Sequence, residues 1–73
     1  MPLPAKIYRV VGETIRAERK KARMSQEKLA EKADLNRNYV GEIERAEKKI
    51  TLETLEKIAK VFRLHVRDLL RDA

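Results

Sequence analysis

Apolar side chains recur at three- and four-residue intervals along most of the chain, which is the period of a helix and not of a strand. From about Lys6 to Ala22, Ile7, Val10, Val11 and Ile15 fall on one stripe, while Arg9, Arg16, Lys20 and Lys21 take the other face. Ser25 then offers a hydroxyl to an orphan amide of a new first turn, and Glu27 complements the dipole there. Leu29, Ala30 and Ala33 give this second helix a short apolar face. The pattern is interrupted from Lys32 to Asn36, where Asp34 and Asn36 tolerate left-handed backbone and bond nearby amides, so a tight turn is expected. Asn36 caps a third helix from Arg37 to about Ala46. On that helix Val40 and Ile43 share the inner side, Asn38, Glu42 and Arg45 point the opposite way, and Arg37 occupies the exposed N-terminal tip. Glu47, Lys48 and Lys49 form a charged connector, after which Thr51 can cap a fourth helix with Leu52, Leu55, Ile58, Ala59 and Phe62 on its apolar face. Arg63, Leu64 and His65 lead into a short last helix carrying Val66, Leu69 and Leu70, with His65 as a cap or surface residue.

Composition sharpens this into an all-α fold. Both prolines lie within the first four residues, Gly12 and Gly41 are the only glycines, and β-branched alternation is absent. The expected architecture is a compact five-helix bundle forming one domain over residues 1–73, without linker or repeat. With 42% hydrophobic and 41% charged residues, little apolar material is spare, and a second copy of the chain would help stability. So small a chain can hardly enclose a water-excluded pocket, which favours a binding module over an enzyme. Ser25 has no triad-like neighbours, and Tyr8 reads as packing on the bundle.

The absence of Cys and the single His leave no expected metal site, cofactor or small-molecule ligand, and Asp68 with Asp72 reads as a solvated pair. No apolar run approaches the roughly 18 residues of a membrane span. The start, Met1-Pro2-Leu3-Pro4-Ala5-Lys6, lacks the apolar middle of a signal peptide, so a cytoplasmic address is expected.

The net charge of +6 is unevenly spread, with a surplus of +5 in residues 1–23. This basic first helix reads first as a solvated face and second as a phosphate-binding stripe. Residues 25–46 carry the more informative arrangement. Two short helices are joined by a turn of about three residues, with Leu29, Ala30, Val40 and Ile43 burying their contact and a polar row left on the second. That is helix-turn-helix geometry, in which the second helix enters a major groove.

The stretch SQEKLAEKADLNRNYVGEIERAEKKITLETLEKIAKVF resembles the Cro/repressor-type (XRE-like) helix-turn-helix family, whose fold is the lambda repressor-like DNA-binding domain. The likeness runs from about Gly12 to Leu70. It rests on S-Q-x-x-L-A, a turn, a polar tripeptide and I-E-R; L-x-R-x-Y draws it nearest to the controller proteins of restriction-modification genes. The resemblance implies a double-stranded DNA operator as partner. It gives Arg37, Asn38 and Glu42 to base edges, where Arg suits guanine, Asn adenine, and Glu the cytosine amino group. It gives Ser25, Gln26, Tyr39, Arg45, Lys48 and Lys49 to phosphates, and it makes Arg19 and Glu44 a structural ion pair between the first and third helices.

Family members often carry Gly where this chain has Arg23, Asp34, Ala46 and Arg63; Asp is among the better tolerated residues there, so the turns at Arg23, Ala46 and Arg63 are expected to be rewired or strained. Gly41 is expected to keep its face flat for approach to DNA. One short helix rarely discriminates enough, so paired half-sites about 34 Å apart and a homodimer are expected. Leu64, Val66 and Leu70, within the region 51–73, are the candidate interface. The expected role is transcription regulation, as repressor or activator, with RNA polymerase as a candidate partner through Glu42, Glu44 or Glu47. Two alternatives stay open at this point: an antitoxin or phage-type repressor whose main partner is another protein, and a non-DNA adaptor.

Overall fold

The computed structural model describes residues 5–71, which form five helices: α1 (Ala5–Lys21), α2 (Gln26–Lys32), α3 (Arg37–Glu44), α4 (Leu52–Val61) and α5 (Val66–Leu70). Met1–Pro4 and Asp72, on which the leader and carboxylate-pair readings fall, lie outside the described residues. Helix starts are set by local cap chemistry. Ser25 Oγ accepts from the Lys28 N–H at 3.0 Å, Asn36 Oδ1 from the Asn38 N–H at 2.8 Å, and Thr51 Oγ1 from the Thr54 N–H at 3.1 Å. At α5 the Asp68 carboxylate accepts from the His65 backbone N–H at 2.9 Å.

The helix ends share one device. Arg23, Asp34, Ala46 and Arg63 have φ of 58°, 56°, 57° and 58°, each one residue beyond a C-cap. Each N–H bonds back three residues and the next N–H bonds back five, for example Arg23 to the Lys20 carbonyl and Met24 to that of Arg19, both at 3.0 Å. These are Schellman caps, a position that favours glycine, here built four times from residues with a Cβ. The turns are therefore not rewired; they keep the left-handed geometry at a cost of about 1–2 kcal/mol each.

The core is one cluster: Val11 and Ile15 from α1, Leu29 and Ala30 from α2, Ala33 at its end, Val40 and Ile43 from α3, Leu55, Ile58 and Ala59 from α4, and Leu69 from α5. Helix α1 packs on α3 and α5, and α2 on α3 and α4. Tyr8 is half-buried. Leu52, expected on the apolar face of α4, is instead 74% exposed. It opens its helix, and a helical Cβ leans toward the N-terminus, which carries this side chain past the edge of the core. Gly12 has a role that periodicity did not reveal. A Cβ there would meet the carbonyl oxygens of Ile43 at 2.5 Å and Glu44 at 2.9 Å, so only glycine lets α1 and α3 approach this closely. Among the described residues no helix is long and apolar enough to cross a membrane.

Candidate nucleic-acid interface

Helix α3 buries Val40 and Ile43 against the core and turns Arg37 and Asn38 fully outward, with Glu42 half-buried beside them. The α3 row faces the start of α2 across a polar cleft of about 360 Å³, lined by Gln26, Arg37, Asn38, Gly41, Glu42, Arg45 and Glu47. Arg37 stands at the rim, and among the described residues its only partner is a loose one, Glu27, at 3.8 Å. Tyr39 is half-buried and packs against the core edge. Lys48 and Lys49 are exposed in the connector just beyond.

The row is held from behind by a buried carboxylate. Glu44 accepts from Arg19 Nε at 2.6 Å, from Arg19 Nη2 at 3.0 Å and from Gln26 Nε2 at 3.0 Å. Arg19 also donates to the Met24 carbonyl at 2.8 Å, and the two charged side chains are only 11% and 2% exposed. The hydrogen bond to Glu44 raises the Arg19 pKa above its ordinary value against the opposing effect of burial, so the guanidinium stays charged. One carboxylate thus ties α1, the first turn of α2 and the end of α3 together. Glu44 is consequently enclosed, and it drops out of the acidic residues that sequence offered for contact with RNA polymerase.

Other positions differ in detail from their sequence reading. One N–H of the Gln26 amide goes to Glu44, which leaves the rest of the side chain lining the cleft. Ser25 Oγ serves as a cap acceptor and remains exposed. Arg45, grouped by sequence with Lys48 and Lys49, is engaged by Glu47 through two hydrogen bonds at 2.9 and 3.0 Å. That pairing raises the pKa of Arg45 and lowers that of Glu47.

Gly41 is buried, and a Cβ on it would meet Arg45 Nη1 at 3.0 Å and Gln26 Oε1 at 3.1 Å; its space is taken by these side chains. Arg16, placed by periodicity on the outer face of α1, lines a second cleft with Arg19, Gln26, Glu44 and Arg45. Sequence offered one signal for this: Arg16 lies one turn before Arg19. Leu64, Val66 and Leu70 are half-buried against the core at the α4–α5 end.

A short helix pair with a polar row turned outward on the second, braced by a buried arginine–glutamate pair, defines a helix-turn-helix DNA-binding regulator of the XRE or controller type. The chain belongs to the helix-turn-helix family, whose profile matches residues 15–69. It is 46% identical over 50 residues to control protein C.BamHI of Bacillus amyloliquefaciens, a match covering 68% of this chain and 62% of that protein. It is 41% identical over 64 residues to control protein C.SmaI of Serratia marcescens, covering 88% of this chain and 76% of that one. Among solved structures, the restriction-modification controller protein C.AhdI from Aeromonas hydrophila superposes with a TM-score of 0.82 at 32% identity, over 85% of this chain and 94% of that one. The biofilm master regulator SinR, solved in complex with DNA, gives 0.78 at 34% identity, over 82% and 97%.

Proposed function

We propose that residues 1–73 act as one operator-binding domain, which regulates transcription as a homodimer on paired half-sites of cytosolic DNA. In this reading α3 lies in the major groove. Arg37 addresses guanine O6 and N7, Asn38 addresses adenine N6 and N7, and Glu42 accepts from a cytosine amino group. Ser25, Gln26, Tyr39, Lys48 and Lys49 flank the groove on phosphates, helped by the positive end of α2. Leu64, Val66 and Leu70 join the two copies. Glu42 and Glu47 remain as the acidic candidates for contact with polymerase.

The observation that carries this reading is the exposed Arg37–Asn38 pair at the start of α3, with Arg37 at the N-terminal tip and Asn38 on the side opposite fully buried Val40 and Ile43. The controller relatives and the SinR complex with DNA support it. The net charge of +6 supports it too, since phosphate neutralisation releases counterions and log K should fall by about 0.9 per contacted phosphate for each unit of log salt.

Selection of bound duplexes from a random pool tests the reading, because half-site sequence, symmetry and spacing emerge together. Arg37→Ala is expected to cost about 1–3 kcal/mol and to relax preference at one base position. Equal weakening on every duplex would make Arg37 a phosphate contact instead.

A further inference from the structure

Three of the four left-handed helix ends are followed by an apolar side chain that packs on the core: Met24, Leu35 and Leu64. This is the usual companion of a Schellman cap. The end of α3 departs from the rule, because the residue after Ala46 is Glu47. Its carboxylate reaches back and grips the Arg45 guanidinium side-on, Nε to Oε2 at 2.9 Å and Nη2 to Oε1 at 3.0 Å. Both side chains are more than half exposed, where an ion pair contributes little to stability. The pair therefore calls for a different explanation.

Gly41 supplies the second half of the arrangement. Arg45 Nη1 lies 3.0 Å from where a Cβ on Gly41 would sit, so the guanidinium lies over the bare backbone of α3 and lines the cleft with Arg37, Asn38 and Glu42. Of the five N–H groups of arginine, two are committed to Glu47. The other three, including the end-on pair on Nη1 and Nη2, have no acceptor among the described residues. That end-on pair is the fork that matches guanine O6 and N7. A guanidinium free to swing would settle on phosphates as readily as on a base, whereas one clamped on its side edge keeps a fixed direction.

We infer that Glu47 is a positioning residue that turns Arg45 from a phosphate contact into a reader of one guanine in each half-site. The inference rests on the groove-binding reading of α3. Glu47 also places a negative charge beside the polar row, which weakens attraction to unmatched DNA and so widens the difference between right and wrong sequences.

The test measures binding of wild-type protein, R45A and E47Q at one salt concentration. The duplexes are the operator selected by the wild type, its single-base variants and a scrambled sequence, with thermal melting as a fold control. R45A is expected to lose preference for guanine at one position by about tenfold or more, and E47Q to lose the same preference by about three- to tenfold. E47Q should bind scrambled DNA at least as tightly as wild type and melt at an unchanged temperature, a combination that a merely structural residue would not produce. Uniform weakening by R45A, or an E47Q protein that keeps its guanine preference, overturns the proposal. A wild-type protein that prefers no sequence would instead bring down the groove-binding reading itself, and this proposal with it.

Discussion

Glu44 shows how much can depend on one buried carboxylate. It receives three hydrogen bonds from Arg19 and Gln26 while almost sealed from water, so removing either charged partner strands the other. Such a loss costs about 3–5 kcal/mol, a large part of the stability of so small a domain. Glu44→Ala and Arg19→Ala are each expected to lower the urea midpoint sharply. Replacing both with apolar residues of similar volume should recover most of the loss. The pair was legible in sequence through the I-E-R motif and the arginine before it. What the sequence hid was Gln26, whose place in the network depends on the crossing of α2 over α3. Gly12 was equally hidden, since its necessity comes from carbonyls of α3 that lie far away along the chain.

Elements were easier to read at their beginnings than at their ends. Ser25, Asn36 and Thr51 announce helix starts because a side-chain oxygen captures an amide two or three residues on, and that chemistry is local. The ends rely on backbone geometry that Arg, Asp and Ala do not advertise; only likeness to relatives with glycine marked them. Arg23→Gly and Arg63→Gly should relieve left-handed strain while making the unfolded chain somewhat freer. A net gain of about 0.5–1 kcal/mol each is expected in thermal unfolding. Periodicity placed Leu52 on the apolar face of α4, yet the side chain is 74% exposed, because position along a helix relative to the core is a tertiary fact.

The start of α5 titrates. The His65 backbone N–H first, and Arg71 second, hold the Asp68 carboxyl below its ordinary value. Its contribution is therefore complete above the unfolded aspartate pKa and is lost as pH falls through the lower folded value. Melting temperature should decline through that acid window, and Asp68→Asn should flatten the decline.

At the scale of the whole molecule, length and composition predicted the all-helical class correctly, whereas the distribution of charge did not by itself point to the candidate site. The surplus of cations lies in the first 23 residues, whereas the exposed row that defines the site belongs to α3. The only signal in sequence that Arg16 joins the second cleft was its place one turn before Arg19, because helical phase does not say which neighbour a face meets. Self-association is expected at the α4–α5 end, where three aliphatic side chains are only half covered. Val66→Glu should shift sedimentation toward monomer and reduce affinity for a two-half-site operator far more than for a single half-site.

The brace behind α3 has a thermodynamic consequence. Because α1, α2 and α3 are tied together by Glu44 before any DNA arrives, docking requires no segment of this region to fold. Calorimetry of operator binding should then show a heat-capacity change explained by the contact surface alone, without the large excess that accompanies ordering of a disordered chain. Cutting the brace would surface as that excess, together with a slower approach to the complex.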